Sequence, residues 1–169
     1  IAGDWNGDGK TDIGVVRTGI FYLDANGNRT WDGTAGGDYQ FGFGNPTDKP
    51  ITGDWNGDGK TDIGVWRSGT FYLDYNGSRT WNGIAGGDVQ FGFGSVNDIP
   101  VTGDWNGDGY FDVGVYRGGT YYLDANGNRT WNGPTNGDAQ FGFAAATDIP
   151  VTGDWNGDGI TDVGAYRNG

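Results

Sequence analysis

The sequence contains no cysteine, methionine, histidine or glutamate, and all 22 of its acidic residues are aspartate. The absence of cysteine excludes a disulfide framework and a thiolate zinc site. The absence of histidine removes the commonest general base and the commonest imidazole metal ligand. Any metal chemistry of this chain therefore depends mainly on aspartate.

Helical periodicity and long apolar runs are also missing. No window repeats apolar residues at helical spacing, and no apolar run is long enough to cross a bilayer. The formal net charge of −12 argues against nucleic acid or an anionic membrane as a partner. The sequence has no signal peptide and begins with Ile1 rather than Met. We therefore expect a processed or excised piece of a longer protein.

The abundant residues are glycine, at 37 positions, and the aromatic residues, which make up 15% of the chain. Glycine and aspartate favour turns, whereas aromatic and β-branched residues favour strands. This composition predicts an all-β protein with many short strands joined by tight turns.

The chain aligns on itself with a period of about fifty residues. The units are 1–50, 51–100 and 101–150, with a partial fourth unit at 151–169. Each opens with Gly-Asp-Trp-Asn-Gly-Asp-Gly, starting at Gly3, Gly53, Gly103 and Gly153. A fixed period of this length is typical of solenoids, propellers and arrays.

Within one unit the pattern predicts four strands, near residues 1–5, 12–17, 20–24 and 28–32. Residues 41–43 are expected to form a linking or additional edge segment. Asn26-Gly27 is a strong hairpin signal, because a type I′ turn needs positive φ at both central residues. The strands are apolar on both faces, which favours β-propeller blades of four antiparallel strands stacked face to face. A β-trefoil is the alternative, but it leaves 151–169 without a place.

The loop that opens each unit carries the chemistry. Oxygen-bearing side chains stand at loop positions one, three, five and nine, and position six is glycine. Such a loop suits calcium, which takes about six to eight oxygen ligands. Position seven would donate its backbone carbonyl, so its side chain is free to vary between copies. The predicted ligands are Asp4, Asn6, Asp8, Lys10 and Asp12; Asp54, Asn56, Asp58, Lys60 and Asp62; Asp104, Asn106, Asp108, Tyr110 and Asp112; and Asp154, Asn156, Asp158, Ile160 and Asp162.

The loop is not an EF-hand, because Val15 stands at position twelve where a bidentate glutamate would be. Asp12 is therefore the predicted closing ligand of the first copy. Magnesium demands a stricter octahedron and keeps its waters, so calcium is favoured, at about one ion per repeat. The alternative is a set of Asx-turns that bind no metal.

The sequence Gly-Asp-Trp-Asn-Gly-Asp-Gly-x-x-Asp, preceded by Phe-Gly-Phe-Gly, resembles FG-GAP and VCBS-type repeats. These include the calcium-bearing blades of integrin α-chain propellers. The resemblance extends over all units and implies that the loop residues named above are calcium ligands. After the loop, however, this chain reads Val-Val-Arg and its variants where the family often reads Gly-Ala-Pro. The resemblance therefore implies the blade but not integrin-style ligand recognition.

Other residues have weaker functional interpretations. Trp31, Trp81 and Trp131 are possible stacking platforms for a ligand such as a sugar ring, whereas Trp5 is expected to pack in the core. The segment starting at Asp24 is either a second, weaker ion site or, as we favour, a hairpin turn. Three asparagines stand in glycosylation sequons that matter only on a secretory route: Asn28, Asn76 and Asn128.

These features predict a non-catalytic, calcium-stabilised module of a secreted or cell-surface protein, for adhesion, ligand binding or self-assembly. A lectin-like propeller and a structural subunit of a filament or array are the alternatives. An enzyme is disfavoured because the polar residues recur in register, as structural residues do. Three complete units and two strands of a fourth cannot close a ring alone. We therefore expect self-association, as a dimer closing one ring or as a filament, unless a longer parent chain supplies the missing blades.

Overall fold

The computed structural model of the chain describes residues 1–167, and its dominant element is the β-strand. The first sheet contains β1 (Ala2–Gly3), β2 (Asp12–Arg17), β3 (Ile20–Leu23) and β4 (Tyr39–Gly42); the second contains β5 (Lys49–Gly53), β6 (Asp62–Arg67), β7 (Thr70–Leu73) and β8 (Val89–Gly92); the third contains β9 (Ile99–Gly103), β10 (Asp112–Arg117), β11 (Thr120–Leu123) and β12 (Ala139–Gly142); the fourth contains β13 (Ile149–Gly153) and β14 (Asp162–Tyr166). Short 3₁₀ turns lie at Thr34–Gly36, Ile84–Gly86 and Pro134–Asn136.

Strands of each sheet are joined in sequence order, and the pairings are antiparallel. The predicted all-β class and the four-stranded antiparallel sheet of each full repeat are confirmed. The trefoil alternative gains no support, because each strand pairs with the strands of its own repeat. The fourth sheet pairs two strands, which correspond in sequence to β5 and β6. Closure of the sheets into a ring stays a prediction.

A two-residue turn joins the second and third strands of each full sheet. Thr18 and Gly19 have φ of 49° and 81°, as a type I′ turn requires, and Arg17 pairs directly with Ile20. The same turn occurs at Ser68-Gly69 and Gly118-Gly119. The predicted strands at 12–17 and 20–24 are thereby confirmed, the latter ending at Leu23.

The predicted strand at 28–32 is wrong. Besides β2, β3 pairs with β4, which begins at Tyr39 and overlaps the edge segment expected at 41–43. The Asn26-Gly27 turn therefore lies within a long connection rather than at the tip of a hairpin. Two buried carboxylates organise this connection. Asp24 accepts a hydrogen bond from the Arg29 N–H at 2.7 Å, and Asp38 accepts one from the Asp32 N–H at 2.9 Å.

The chain divides into two compact units, one of residues 1–67 and 71–90, the other of residues 68–70 and 91 onward. The core of the first unit contains Trp5, Phe21, Leu23, Ala25 and Phe43 from the first repeat with Ile63 and Val65 from β6. The core of the second contains Val101, Tyr116, Tyr121 and Leu123, with Trp105, Ala139, Ala144 and Val163 packed against it. Each core thus joins residues from two repeats, and Trp5 packs inside, as predicted.

Candidate metal loops

Each predicted loop curls around the carboxylate of its first residue. Asp4 accepts hydrogen bonds from the backbone N–H groups of Gly7 at 2.7 Å, Asp8 at 3.1 Å and Gly9 at 2.8 Å. Gly7 and Gly9 both have φ of 81°, a conformation that glycine adopts without strain. The same bonds are made by Asp54, Asp104 and Asp154. The repeated motif therefore folds into one loop shape in all four copies.

Positions three and five also turn an oxygen toward the loop backbone. The Asn6 Oδ1 accepts the Asp8 N–H at 2.8 Å, and the Asp8 Oδ1 accepts the Lys10 N–H at 2.9 Å. The side chains at position seven are exposed in every copy, at Lys10, Lys60, Tyr110 and Ile160. Their exposure is compatible with the predicted role of this position, in which only the backbone carbonyl binds the ion.

The predicted closing ligand is the most buried carboxylate of the first loop. Asp12 is 7% exposed, and its Oδ2 has no hydrogen-bond partner. Burial, with the charges of Asp8 and Asp24, raises the pKa of Asp12. A buried, unpartnered carboxylate oxygen is costly, and a cation bound at the loop would offset that cost. This oxygen is the observation that best fits a metal at the loop.

The electrostatics of the second and third loops are the same. Burial raises the pKa of Asp62 to about 8, and the charges of Asp58, Asp74 and Asp54 contribute to the rise. Burial and the three corresponding carboxylates raise the pKa of Asp112 to about 7. Four carboxylates close enough to perturb one another favour a cation, because an opposite charge stabilises the ionised form.

The carboxylates of a loop do not, however, converge on one point. Within residues 1–167 there is no group of three or more acidic side chains arranged to hold a metal ion. The first predicted ligand of each loop is directed instead at the backbone N–H groups of its own turn. Calcium at these loops stays a prediction, and the all-oxygen donor set is the kind that calcium takes.

Asp24 was predicted to be part of a hairpin turn or, less favoured, of a second ion site, and the structure places it and its counterparts beside the loops. Asp74 is 1% exposed and accepts hydrogen bonds from the Ser78 N–H, the Ser78 hydroxyl and the Arg79 N–H. In the first repeat the Asp24 Oδ1 has no partner. The sequence feature that indicates these buried aspartates is the recurrence of aspartate directly after the third strand. The neighbouring Asn-Gly pair favours a hairpin turn instead.

The three tryptophans proposed as ligand platforms are partly exposed and each packs edge-on against a tyrosine. Ring centroids lie 5.3 Å apart for Trp31 and Tyr22, and 5.5 Å apart for Trp81 and Tyr72. Trp131 makes the same contact with its own tyrosine. Trp81 also meets Phe43 of the first repeat at 6.2 Å, so this tryptophan takes part in packing between sheets. Stacking on a sugar stays a prediction.

The three sequon asparagines lie in the long connection of each repeat and are exposed. The side-chain amides of Asn28, Asn76 and Asn128 donate to Asp32, Asn82 and Asn132, respectively. Each asparagine therefore helps to order its connection, whatever its glycosylation.

Comparisons of the chain with protein-family models, with curated proteins and with solved structures found no match. The resemblance to FG-GAP and VCBS-type repeats therefore stays an interpretation of the loop motif. Within residues 1–167, no helix has the length and apolar character needed to cross a membrane.

Proposed function

We propose that the chain is a calcium-stabilised, non-catalytic repeat module of a secreted or cell-surface protein, serving adhesion, ligand binding or self-assembly. The carrying observation is the unpartnered Oδ2 of Asp12, the buried closing carboxylate of the first loop. The corresponding Asp62 and Asp112 are also buried, and each accepts a hydrogen bond from the asparagine at loop position three. Three like charges surround the equivalent Asp62. A divalent cation would remove this repulsion and supply the missing partner.

The regularity of the loops supports a structural role for the ion. All four copies have the same hydrogen bonds from backbone N–H groups to the first aspartate. A reactive site would need a residue that differs from its counterparts, whereas the polar residues of these loops recur in register. An ion in each loop would fix the start of the second strand of each repeat, since the closing aspartate is the first residue of that strand.

Thermal unfolding in calcium and in chelator tests the proposal. Ligand that binds only the folded state stabilises it by RT ln(1 + [L]/Kd), or about 1.4 kcal/mol per loop when free calcium is tenfold above Kd. Extracellular calcium modules have a Kd of about 10⁻⁴ to 10⁻³ M, so about 10 mM calcium is the appropriate concentration. We expect the Tm to rise by several degrees in calcium, to fall in EDTA and to respond less to magnesium. An identical Tm in calcium and EDTA would refute calcium binding.

Two aspartates of the second repeat give a matched pair of variants. Asp58→Asn keeps an oxygen for the Lys60 N–H, which the Asp58 Oδ1 now accepts at 2.9 Å, but removes a charge from the predicted ligand set. It should lower the Tm in calcium and leave the Tm in EDTA nearly unchanged. Asp74→Ala removes the buried acceptor of three hydrogen bonds, so it should lower the Tm in both conditions. If Asp58→Asn had the same effect in calcium and EDTA, the loop would be an ordinary turn.

A further inference from the structure

Consecutive repeats meet through one kind of joint in the first unit. Ile63 and Val65, on one face of β6, are each 2% exposed and pack in a cluster with Trp5 and Phe21 of the first repeat. Trp81 extends the same contact by meeting the ring of Phe43. The joint thus has a leading side, which contributes the tryptophan of the loop, and a following side, which contributes two apolar residues of the second strand.

Hydrogen bonds between loops fix the register of this joint. The Asp4 N–H donates to the Thr61 Oγ1 at 2.9 Å, and the Thr61 N–H donates to the Asp4 carbonyl at 2.8 Å. In the second unit the Asp104 N–H donates to the Thr161 Oγ1 at 3.0 Å, and the Thr161 N–H donates to the Asp104 carbonyl at 2.7 Å. The two units therefore use the same joint, built from the same positions of the repeat.

Within residues 1–167, the first sheet exposes an unoccupied following side, and the fourth sheet exposes the tryptophan of a leading side but has no counterparts of Phe21, Leu23 and Phe43. On the first sheet, Ile13 is 58% and Val15 49% exposed, although they correspond to Ile63 and Val65. Together with Tyr22 and Trp31 they line an open groove of about 320 Å³. On the fourth sheet, Trp155 is 61% exposed, although the corresponding Trp5 is 3% exposed. Val151, on the fourth sheet, is also exposed.

We propose that these two faces bind each other between two copies of the chain, with Trp155 of one copy seated on the Ile13 and Val15 face of the next. The occupant is a second copy because the chain itself carries the following side of the joint and the tryptophan and aspartate of a leading side, and this joint already packs repeats together within each unit. Thr11 and Asp154 occupy the positions of Thr61 and Asp4, so they supply the two hydrogen bonds that fix the register. The proposal rests on the self-assembly part of the proposed function.

The contact is head-to-tail, because its two sides are different surfaces. A heterologous contact of this kind generates a ring if its rotation closes and a filament if it does not. Two copies could instead associate by combining their two-stranded fourth sheets into one four-stranded sheet, but this arrangement is less suitable. That sheet consists of β13 and β14, the equivalents of the first and second strands, so two copies of it cannot supply each other with the third and fourth.

Light scattering coupled to size-exclusion chromatography, on the 169-residue chain in calcium, tests the contact. The wild-type mass should rise above that of a monomer as the concentration increases. Val15→Asp and Trp155→Asp should each give a monomer with the unfolding cooperativity of the wild type, because both side chains are on exposed faces. Mixed together, these two variants should form a 1:1 dimer that grows no further, because each retains the face that the other has lost.

Each other outcome overturns the proposal. A wild-type chain that stays monomeric at all concentrations in calcium has no such contact, and oligomers that persist in both variants use another surface. A mixture that remains monomeric excludes the head-to-tail arrangement. Failure of calcium binding can be distinguished from failure of this contact, because a chain that does not bind calcium has the same Tm with and without EDTA, regardless of its oligomeric mass. A monomer with a calcium-dependent Tm overturns the docking alone.

One substitution should strengthen the contact. The Thr152 hydroxyl donates to the Thr102 carbonyl at 3.1 Å, and the Thr52 hydroxyl donates to the Ala2 carbonyl at 3.4 Å. In the proposed contact, Ala2 of the copy with the exposed Ile13 face stands at the position of these threonines. Because alanine has no hydroxyl, the corresponding hydrogen bond is missing. Ala2→Thr should therefore tighten the dimer formed by the two mixed variants about 2- to 10-fold, when it is placed in the copy that contributes the Ile13 face. An unchanged or weaker affinity would refute the proposed register.

Discussion

Strands β2 and β6 have nearly the same sequence and very different environments. They read Asp-Ile-Gly-Val-Val-Arg and Asp-Ile-Gly-Val-Trp-Arg. In β2 only Asp12 is buried and the following residues alternate between exposed and half-buried, whereas in β6 five consecutive residues are buried. The difference is made by the residues of the first repeat that pack on Ile63 and Val65. A strand that is apolar on both faces is therefore built for a sheet with neighbours on both sides, and β2 lacks one of them.

The largest effect that tests this comparison is a charge placed at equivalent positions of the two strands. Val65→Asp puts a carboxylate without a partner into the core of the first unit and should destabilise the fold by about 3 to 5 kcal/mol. Val15→Asp puts the same group on an open face and should change the free energy of unfolding by less than about 0.5 kcal/mol. Urea denaturation followed by tryptophan fluorescence, at concentrations where the chain is monomeric, measures both.

An equal loss of unfolding free energy in Val15→Asp and Val65→Asp would mean that the faces of β2 and β6 are equally buried in solution. In that case Val15 would be covered in the monomer, and the exposed groove would not be a feature of the isolated chain. The control is Val15→Thr together with Val65→Thr, since a buried hydroxyl costs less than a charge but still distinguishes a covered position from an open one.

The local elements of the fold were predictable because their causes are local. Two residues with positive φ, such as Thr18 and Gly19, fix a hairpin whatever lies around it. The loop shape was equally predictable, since Asp4 makes its hydrogen bonds to residues three to five positions along the chain. This loop is the most specific part of the resemblance to calcium-binding repeats.

The edge segment expected at 41–43 overlaps β4, but its pairing with β3 as the fourth strand was not predictable from the same signals, because its partner is remote. Asn26-Gly27 does turn the chain, but the next residues are held away from β3 by the buried carboxylates of Asp24 and Asp38. Whether those aspartates would be buried depends on packing that no short motif encodes. The different burial of β2 and β6 was also not predictable, because their sequences are nearly the same. Whether the face of a strand is buried depends on whether a neighbouring sheet packs on it.

The second comparison is between Arg67 and Arg17, which end β6 and β2. Arg67 makes two hydrogen bonds to Asp48, at 2.8 and 2.7 Å, and the side chain of Asp48 is almost fully buried. Arg17 is exposed and lies 5.5 Å from the centre of the Tyr22 ring. Arg67→Ala should cost about 1 to 3 kcal/mol because it leaves a buried carboxylate without its cation, with the partial exposure of Arg67 holding the loss toward the lower end. Arg17→Ala should cost less than about 0.5 kcal/mol.

The pH dependence of the stability loss in Arg67→Ala shows whether the loss comes from the ion pair with Asp48. Burial raises the pKa of Asp48, but hydrogen bonds from Arg67 and the Asn45 N–H, with the charge of Arg67, outweigh burial and hold the pKa below its ordinary value. A lowered pKa in the folded state contributes stability that is complete above the unfolded pKa near 4 and is lost as the pH falls through the folded pKa. The gap between wild type and Arg67→Ala should therefore be constant from pH 5 to 7 and narrow below about pH 4. A gap unchanged at low pH would mean that Arg67 acts through packing of its stem.

The smallest effect concerns the hydrogen bonds between loops, and it compares Thr61 with Thr11. The Thr61 hydroxyl accepts the Asp4 N–H, and a methyl group in its place would leave that N–H without a partner. The two chains are close at this point: a Cβ added at Gly3 would lie 2.5 Å from the Thr61 Cγ2, so water has little room to replace the hydroxyl. Thr61→Val should therefore cost about 1 kcal/mol and weaken the proposed calcium binding by the first loop, in which Asp4 is the first predicted ligand. Thr11→Val removes a hydroxyl that is exposed in the monomer, so it should leave the monomer's Tm unchanged and weaken only the contact between copies. Calorimetry at low concentration measures the stability of the monomer, and light scattering at high concentration measures the contact between copies. A loss of monomer stability in Thr11→Val would show that the first sheet is already covered within the chain.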